Sequence, residues 1–81
     1  MDEQILEFIR EINPYEEIDE TTELIDEGIL DSLTLVLLIE QIESELGIRI
    51  PENELRPENF SSVETIVIFL EKIKEKQGTQ W

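Results

Sequence analysis

Ser32 is the residue best placed to take part in covalent chemistry. It lies in the run Gly28-Ile29-Leu30-Asp31-Ser32-Leu33, directly ahead of an uninterrupted amphipathic stretch from Thr34 to Leu46. The chain has no cysteine and no histidine. Thiolate nucleophile, imidazole base and the commonest metal ligand are therefore all absent. Its lysines, Lys72, Lys74 and Lys76, sit near the far end of the chain, so Ser32 lacks every helper it would need as a nucleophile in its own right. Two roles remain: a plain helix N-cap, or a site modified by another enzyme that supplies the base and metal. A phosphate attached there would lie at a helix N-terminus, where free N–H groups and the dipole favour negative charge.

The stretch that presents Ser32 reads as a helix. Thr34 to Leu46 contains no Gly or Pro, and Gly47 follows as a left-handed C′ residue should. At about 100° per residue, Leu35, Leu38, Ile39, Ile42 and Leu46 share one stripe facing a core. Leu33 and Leu37 fall on the polar face one turn apart, with Val36 at its edge. Beside Ser32, and with Asp31 and Glu40 among the surrounding acids, Leu33, Val36 and Leu37 form a candidate partner-docking surface. The competing reading is that these leucines touch another part of the chain.

Composition narrows the function. Eighty-one residues make one small domain with a modest core. Twenty-one acids against six bases give a formal net charge of −15, and Arg10 is the single base in the first 48 residues. Nucleic acid and anionic membrane surfaces would be repelled, whereas partners presenting Arg and Lys patches would be attracted. Neither a signal peptide nor a membrane-spanning run is legible, so a cytoplasmic protein is expected.

Along the chain, Asp2 to Ile12 reads as a short helix with Ile5, Phe8 or Ile9, and Ile12 at helical spacing, ended by Asn13-Pro14. Residues 13–31 form a long connection in which Tyr15, Ile18, Leu24 and Ile25 are spaced like pegs, which predicts an ordered loop laid over the core. Ile48 and Ile50 flank Arg49 in an extended segment. Pro51 and Pro57 each could open a helical turn, and one short helix is predicted there, anchored by Leu55 and Phe60. Ser61-Ser62-Val63-Glu64 reads as a capping box with Ser61 as N-cap. The last helix carries Val63, Ile66, Val67, Leu70 and Ile73 on one face, and Gly78 ends it. Residues 1–77 are thus expected to form the domain and 78–81 a flexible tail. The fold class is all-α, a small helical bundle.

The acids offer no catalytic site. Asp19, Glu20, Glu23, Asp26, Glu27 and Asp31 lack the spacing of an EF-hand loop, so they read as a solvated face and no dedicated metal site is expected. Nothing places two carboxylates together in an apolar pocket for acid–base work. An enzyme is not expected.

Asp31-Ser32-Leu33, the helix to Leu46, the Gly47-Ile48-Arg49-Ile50-Pro51 exit and the Phe60-Ser61-Ser62-Val63-Glu64-Thr65-Ile66 entry to the last helix together resemble the phosphopantetheine-dependent carrier proteins. That family includes acyl, peptidyl and D-alanyl carriers. The resemblance covers nearly the whole chain and is strongest from about Leu24 to Leu70. It implies a four-helix bundle of three main helices plus a short third one. It also implies that Ser32 receives 4′-phosphopantetheine from coenzyme A through a phosphopantetheinyl transferase. The thiol of that arm would hold a thioester, loaded by an acyl- or aminoacyl-activating ligase and passed to downstream synthases or transferases.

The type of carrier is less sharply marked. Fatty-acid carriers place glycine three residues before the serine, within Gly-Ala-Asp-Ser-Leu, whereas Gly28 lies four before Ser32. They also tend to carry acids where this chain has Thr34 and Leu37, and synthetase-embedded peptidyl carriers read Gly-Gly-[His or Asp]-Ser. The sequence thus points to a stand-alone, monomeric carrier of a polyketide or nonribosomal-peptide pathway. A D-alanyl carrier of cell-wall polymer modification is the alternative, ahead of a fatty-acid carrier. The rival from another class is an acidic helical adapter for a basic partner, with Ser32 only a cap.

Overall fold

A computed structural model describes residues 1–78; of the tail expected over 78–81, Gly78 falls within the last helix and the rest lies outside the described residues. The helices are α1 (Asp2–Ile12), α2 (Ser32–Leu46) and α3 (Val63–Gly78), with two 3-10 turns, Glu52–Glu54 and Pro57–Phe60, between the last two. No strand occurs among the described residues. This is the all-helical, acyl-carrier-type architecture expected, with one difference: the short third helix is a pair of 3-10 turns. Pro57 explains the break. The residue before it, Arg56, is extended at φ −111° and ψ 142°, as a pre-proline residue tends to be, so one helix cannot run through.

α1 packs on both α2 and α3. Ile5 and Ile9 of α1, Leu38 and Ile42 of α2, and Val63, Ile66 and Leu70 of α3 are fully buried, with Phe60 from the second turn among them. Leu35, Ile39 and Leu46 pack against this core partly buried, which completes the α2 stripe. Phe69 is also buried, meeting Phe60 edge-on with ring centroids 5.4 Å apart, a favoured aromatic geometry. Periodicity had not singled it out.

The long connection is ordered, but not by all its expected pegs. Ile18 and Leu24 are buried and Ile25 partly so. Tyr15, in contrast, is 98% exposed and anchors nothing. Ile29 and Leu30 take over as pegs. Backbone bonds tie the loop to the start of α3: Leu24 N–H donates to Ser61 O at 2.8 Å and Glu64 N–H to Glu20 O at 3.2 Å. The second of these satisfies a first-turn donor of α3 that has no intrahelical partner. The α3 cap also differs from the expected box. Ser62, not Ser61, accepts from the Thr65 N–H at 3.2 Å, while Glu64 is exposed.

Candidate functional site

Ser32 is positioned from both sides by buried residues. Upstream, a turn closes with Glu27 N–H donating to Glu23 O at 2.9 Å and Gly28 N–H to Ile25 O at 3.1 Å. Gly28 then takes φ +74°, the left-handed conformation that glycine enters without a Cβ penalty. That reversal drives Ile29 and Leu30 into the core, and Leu30 N–H closes the loop on Leu24 O at 2.9 Å. Downstream, Leu38 is fully buried. Ser32 is held between these anchors, exposed, at the first position of α2.

The cap is Asp31, not Ser32. Asp31 Oδ1 accepts from Leu33 N–H at 3.1 Å and Thr34 N–H at 2.9 Å, and Thr34 Oγ1 accepts from Asp31 N–H at 2.7 Å. This reciprocal arrangement is a capping box. The helix therefore begins two residues earlier than the Thr34 start read from sequence. The bonds from Thr34 hold the Asp31 carboxyl below its ordinary range, the backbone N–H first and the hydroxyl next, because each favours the ionised form.

The box has two consequences. The Ser32 hydroxyl has no hydrogen-bond partner among the described residues, so nothing in the domain competes for it. And the Leu33 and Thr34 N–H groups are already committed to Asp31, leaving the Ser32 N–H as the first-turn donor open to an anion. The expectation of several free N–H groups at this helix mouth is corrected accordingly.

Of the expected docking residues, Asp31, Leu33, Val36, Leu37 and Glu40 are all exposed. Leu33 stands 69% exposed, Val36 52% and Leu37 45%, so none is absorbed by the rest of the chain. Three apolar side chains thus flank the serine along one side of α2, an arrangement that soluble surfaces do not favour without a use. Among the described residues no group of three or more acids is gathered as metal ligands would be, and no helix is long and apolar enough to cross a membrane.

An exposed, unengaged hydroxyl at a rigidly capped helix mouth, beside an apolar strip and without a base of its own, is what a covalent carrier needs. Residues 3–70 match the family described as the phosphopantetheine attachment site, and the chain belongs to that family. Its similarity to D-alanyl carrier proteins is extensive. With that of Listeria welshimeri it is 38% identical over 74 residues, covering 89% of this chain and 95% of the relative. With that of Lactococcus lactis subsp. lactis it is 30% identical over 78 residues, covering 94% and 99%. Among solved structures, a chain from "Crystal structure of FAD-dependent dehydrogenase" superposes with a TM-score of 0.74 at 36% identity, covering 82% of this chain and 97% of that one.

The protein is thus a carrier and not an enzyme, and its cofactor is covalently attached 4′-phosphopantetheine. Carriers of this kind work with a phosphopantetheinyl transferase and with ligases. The residues at the helix mouth fit such a group, since the hydroxyl is solvent-facing and a neighbouring N–H is unoccupied. When attached, the arm supplies a terminal thiol for thioester formation. Were the arm carried on Ser32, the chain's own residues would present it in solvent, and the Asp31–Thr34 capping box would hold the helix end beneath it.

Proposed function

We propose that Ser32 is the attachment residue and that the cargo is an aminoacyl unit, D-alanine, destined for a cell-wall polymer. The observation that carries the first half is the free, exposed Ser32 hydroxyl at a helix start capped by its neighbour. With no histidine or cysteine in the chain, the proton on Ser32 Oγ leaves to a base supplied by the transferase. The new P–O bond forms as the nucleotide half of coenzyme A departs. Leu33, Val36 and Leu37, with Asp31 and Glu40 beside them, form the docking face for that transferase and for the loading ligase. Docking is brief, steered by the acidic surface of a monomer working in the cytoplasm.

The D-alanyl cargo is supported by the relatives described above, both of which are D-alanyl carriers. It replaces the polyketide or nonribosomal-peptide pathway as the preferred reading, because those relatives lend that pathway no support. One observation keeps the pathway as a second reading: the similar solved chain comes from a structure described as a FAD-dependent dehydrogenase, which suits a carrier whose bound thioester is oxidised.

The test is loading of the phosphopantetheinylated protein. A D-alanine-activating ligase with ATP and D-alanine should add one alanyl unit as a hydroxylamine-labile thioester, seen by intact mass. Loading by an L-amino-acid or fatty-acyl ligase, with none from D-alanine, would transfer the assignment to the second reading.

A further inference from the structure

The 3-10 turns that replace a continuous third helix leave a cavity of about 560 Å³ between their segment and α3. Pro51, Glu54 and Asn59 line it from the turns, and Ile68, Phe69 and Lys72 from α3. The turn side is braced by its own hydrogen bonds. Asn59 Nδ2 donates to Glu54 O at 2.8 Å, and the Arg56 N–H donates to the same oxygen at 2.9 Å. The cavity is thus preformed, and its volume lies within the range of small-molecule sites, about 300–1,000 Å³.

Its chemistry changes along α3. Ile68 is 54% exposed, whereas Phe69 and Ile73 are buried beneath it as an apolar floor. One and two turns further on, Lys72 and Lys76 also line the cavity. Ile68, Lys72 and Lys76 share one side of the helix and span about 12 Å. Lys72 is exposed and makes no hydrogen bond or ion pair among the described residues. Against these two lysines the described lining residues include one acid, Glu54. Five of the chain's six bases lie at or after Arg49, so this is the less negative part of a strongly acidic protein.

We propose that this cavity is a non-covalent binding site for a free single-chain carboxylate of medium length, its tail on Ile68, Phe69 and Ile73 and its head on Lys72. The occupant follows from the charges. A lone unpaired cation beside an apolar floor matches one negative charge on one apolar chain. Polyanionic partners and anionic membranes are poor occupants, because the net charge of −15 opposes every further negative charge they bring. The site goes beyond the carrier reading and is separate from the load at Ser32. None of its described lining residues comes from α2 or from the loop before it. A D-alanyl thioester, moreover, offers an ammonium group, which Lys72 repels.

The probe is sodium octanoate, titrated into the isotope-labelled full chain while amide shifts are followed, with 1-octanol as its uncharged counterpart. Octanoate shifts should concentrate at residues 51–59 and 65–76, and hexanoate should bind more weakly by about fivefold or more, having lost two methylenes. Lys72→Gln should weaken octanoate about fivefold and leave octanol unchanged, a double comparison that isolates the contact between carboxylate and lysine. Lys74→Gln makes the same charge change on the same helix outside the cavity lining, and should weaken octanoate less than about twofold. Ile68→Ser should weaken both compounds. Equal losses in the two lysine variants would assign binding to the overall field and overturn the proposal, as would a Lys72→Gln loss that is the same for octanol. Shifts centred on α2 and the loop before it, or none at millimolar octanoate, would overturn it as well. Circular dichroism of each variant confirms the fold. Repeating the titration on Ser32→Ala should give the wild-type affinity, and a loss there would contradict the separation from Ser32.

Discussion

Asp31 and Thr34 clasp each other across Ser32: the Thr34 N–H donates to Asp31 Oδ1 at 2.9 Å, and the Asp31 N–H donates to Thr34 Oγ1 at 2.7 Å. The serine between them makes no side-chain bond in the clasp. Structural work at this helix start thus falls to its neighbours, and the hydroxyl is left unengaged.

That division gives a separation of effects. Ser32→Ala should leave stability within about 0.5 kcal/mol of wild type, as for a surface site away from special features, while abolishing modification. Asp31→Ala should do the reverse, lowering the melting temperature by fraying α2 and reducing the transferase rate without eliminating it. Paired thermal melts and modification assays read both.

The clasp also predicts an acid response. Asp31 is held below its ordinary value by the Thr34 backbone and hydroxyl bonds, and Asp19 by the Thr21 backbone N–H, then the Thr21 and Thr22 hydroxyls. A depressed folded-state value means the unfolded chain takes up protons first as pH falls. The stability these groups contribute is therefore complete above the ordinary value of 3.8 and lost as pH drops below it. Asp19→Asn with Asp31→Asn keeps side-chain acceptors but removes the titration. Between about pH 5 and about pH 3, wild type should lose more stability than this variant; parallel losses would show that these two carboxylates contribute nothing to the response.

Gly28 offers a backbone test. A Cβ built there meets nothing within 4 Å, but φ is +74°. Gly28→Ala should therefore destabilise through conformation alone, by about 1–2 kcal/mol. The loss should appear in chemical denaturation with an unchanged m-value.

The core and the exposed apolar strip should respond in opposite ways. Phe60, fully buried and edge-on to Phe69, should cost about 3–5 kcal/mol when truncated to alanine. Leu37→Glu, on a residue 45% exposed, should change stability by less than about 0.5 kcal/mol while raising KM for the loading ligase. A melted bundle in Leu37→Glu would contradict the placement of that face.

The sequence made Ser32, the α2 stripe and the leucines on its far side legible because helical periodicity sorts residues by face. It was less informative where two residue types are equally suited to one task. Asp and Ser are both good N-caps, and residue type alone points to Ser32 where the Thr34 clasp makes Asp31 the cap; at α3 it points to Ser61 where Ser62 accepts the Thr65 N–H. Tyr15 illustrates a different limit. A loop has no period, so an aromatic residue within it carries no information about whether it points inward. Phe69 was missed because the buried face of α3 is wider than a single stripe, being covered by both α1 and the second 3-10 turn.

The central claim is that Ser32 is an anchor for a thiol-bearing arm installed by another enzyme. Intact mass after incubation with coenzyme A, magnesium and a broad-specificity phosphopantetheinyl transferase tests it most directly. Wild type should gain one phosphopantetheine and Ser32→Ala none. No gain by the folded wild type, or a gain that persists in Ser32→Ala, would contradict the account.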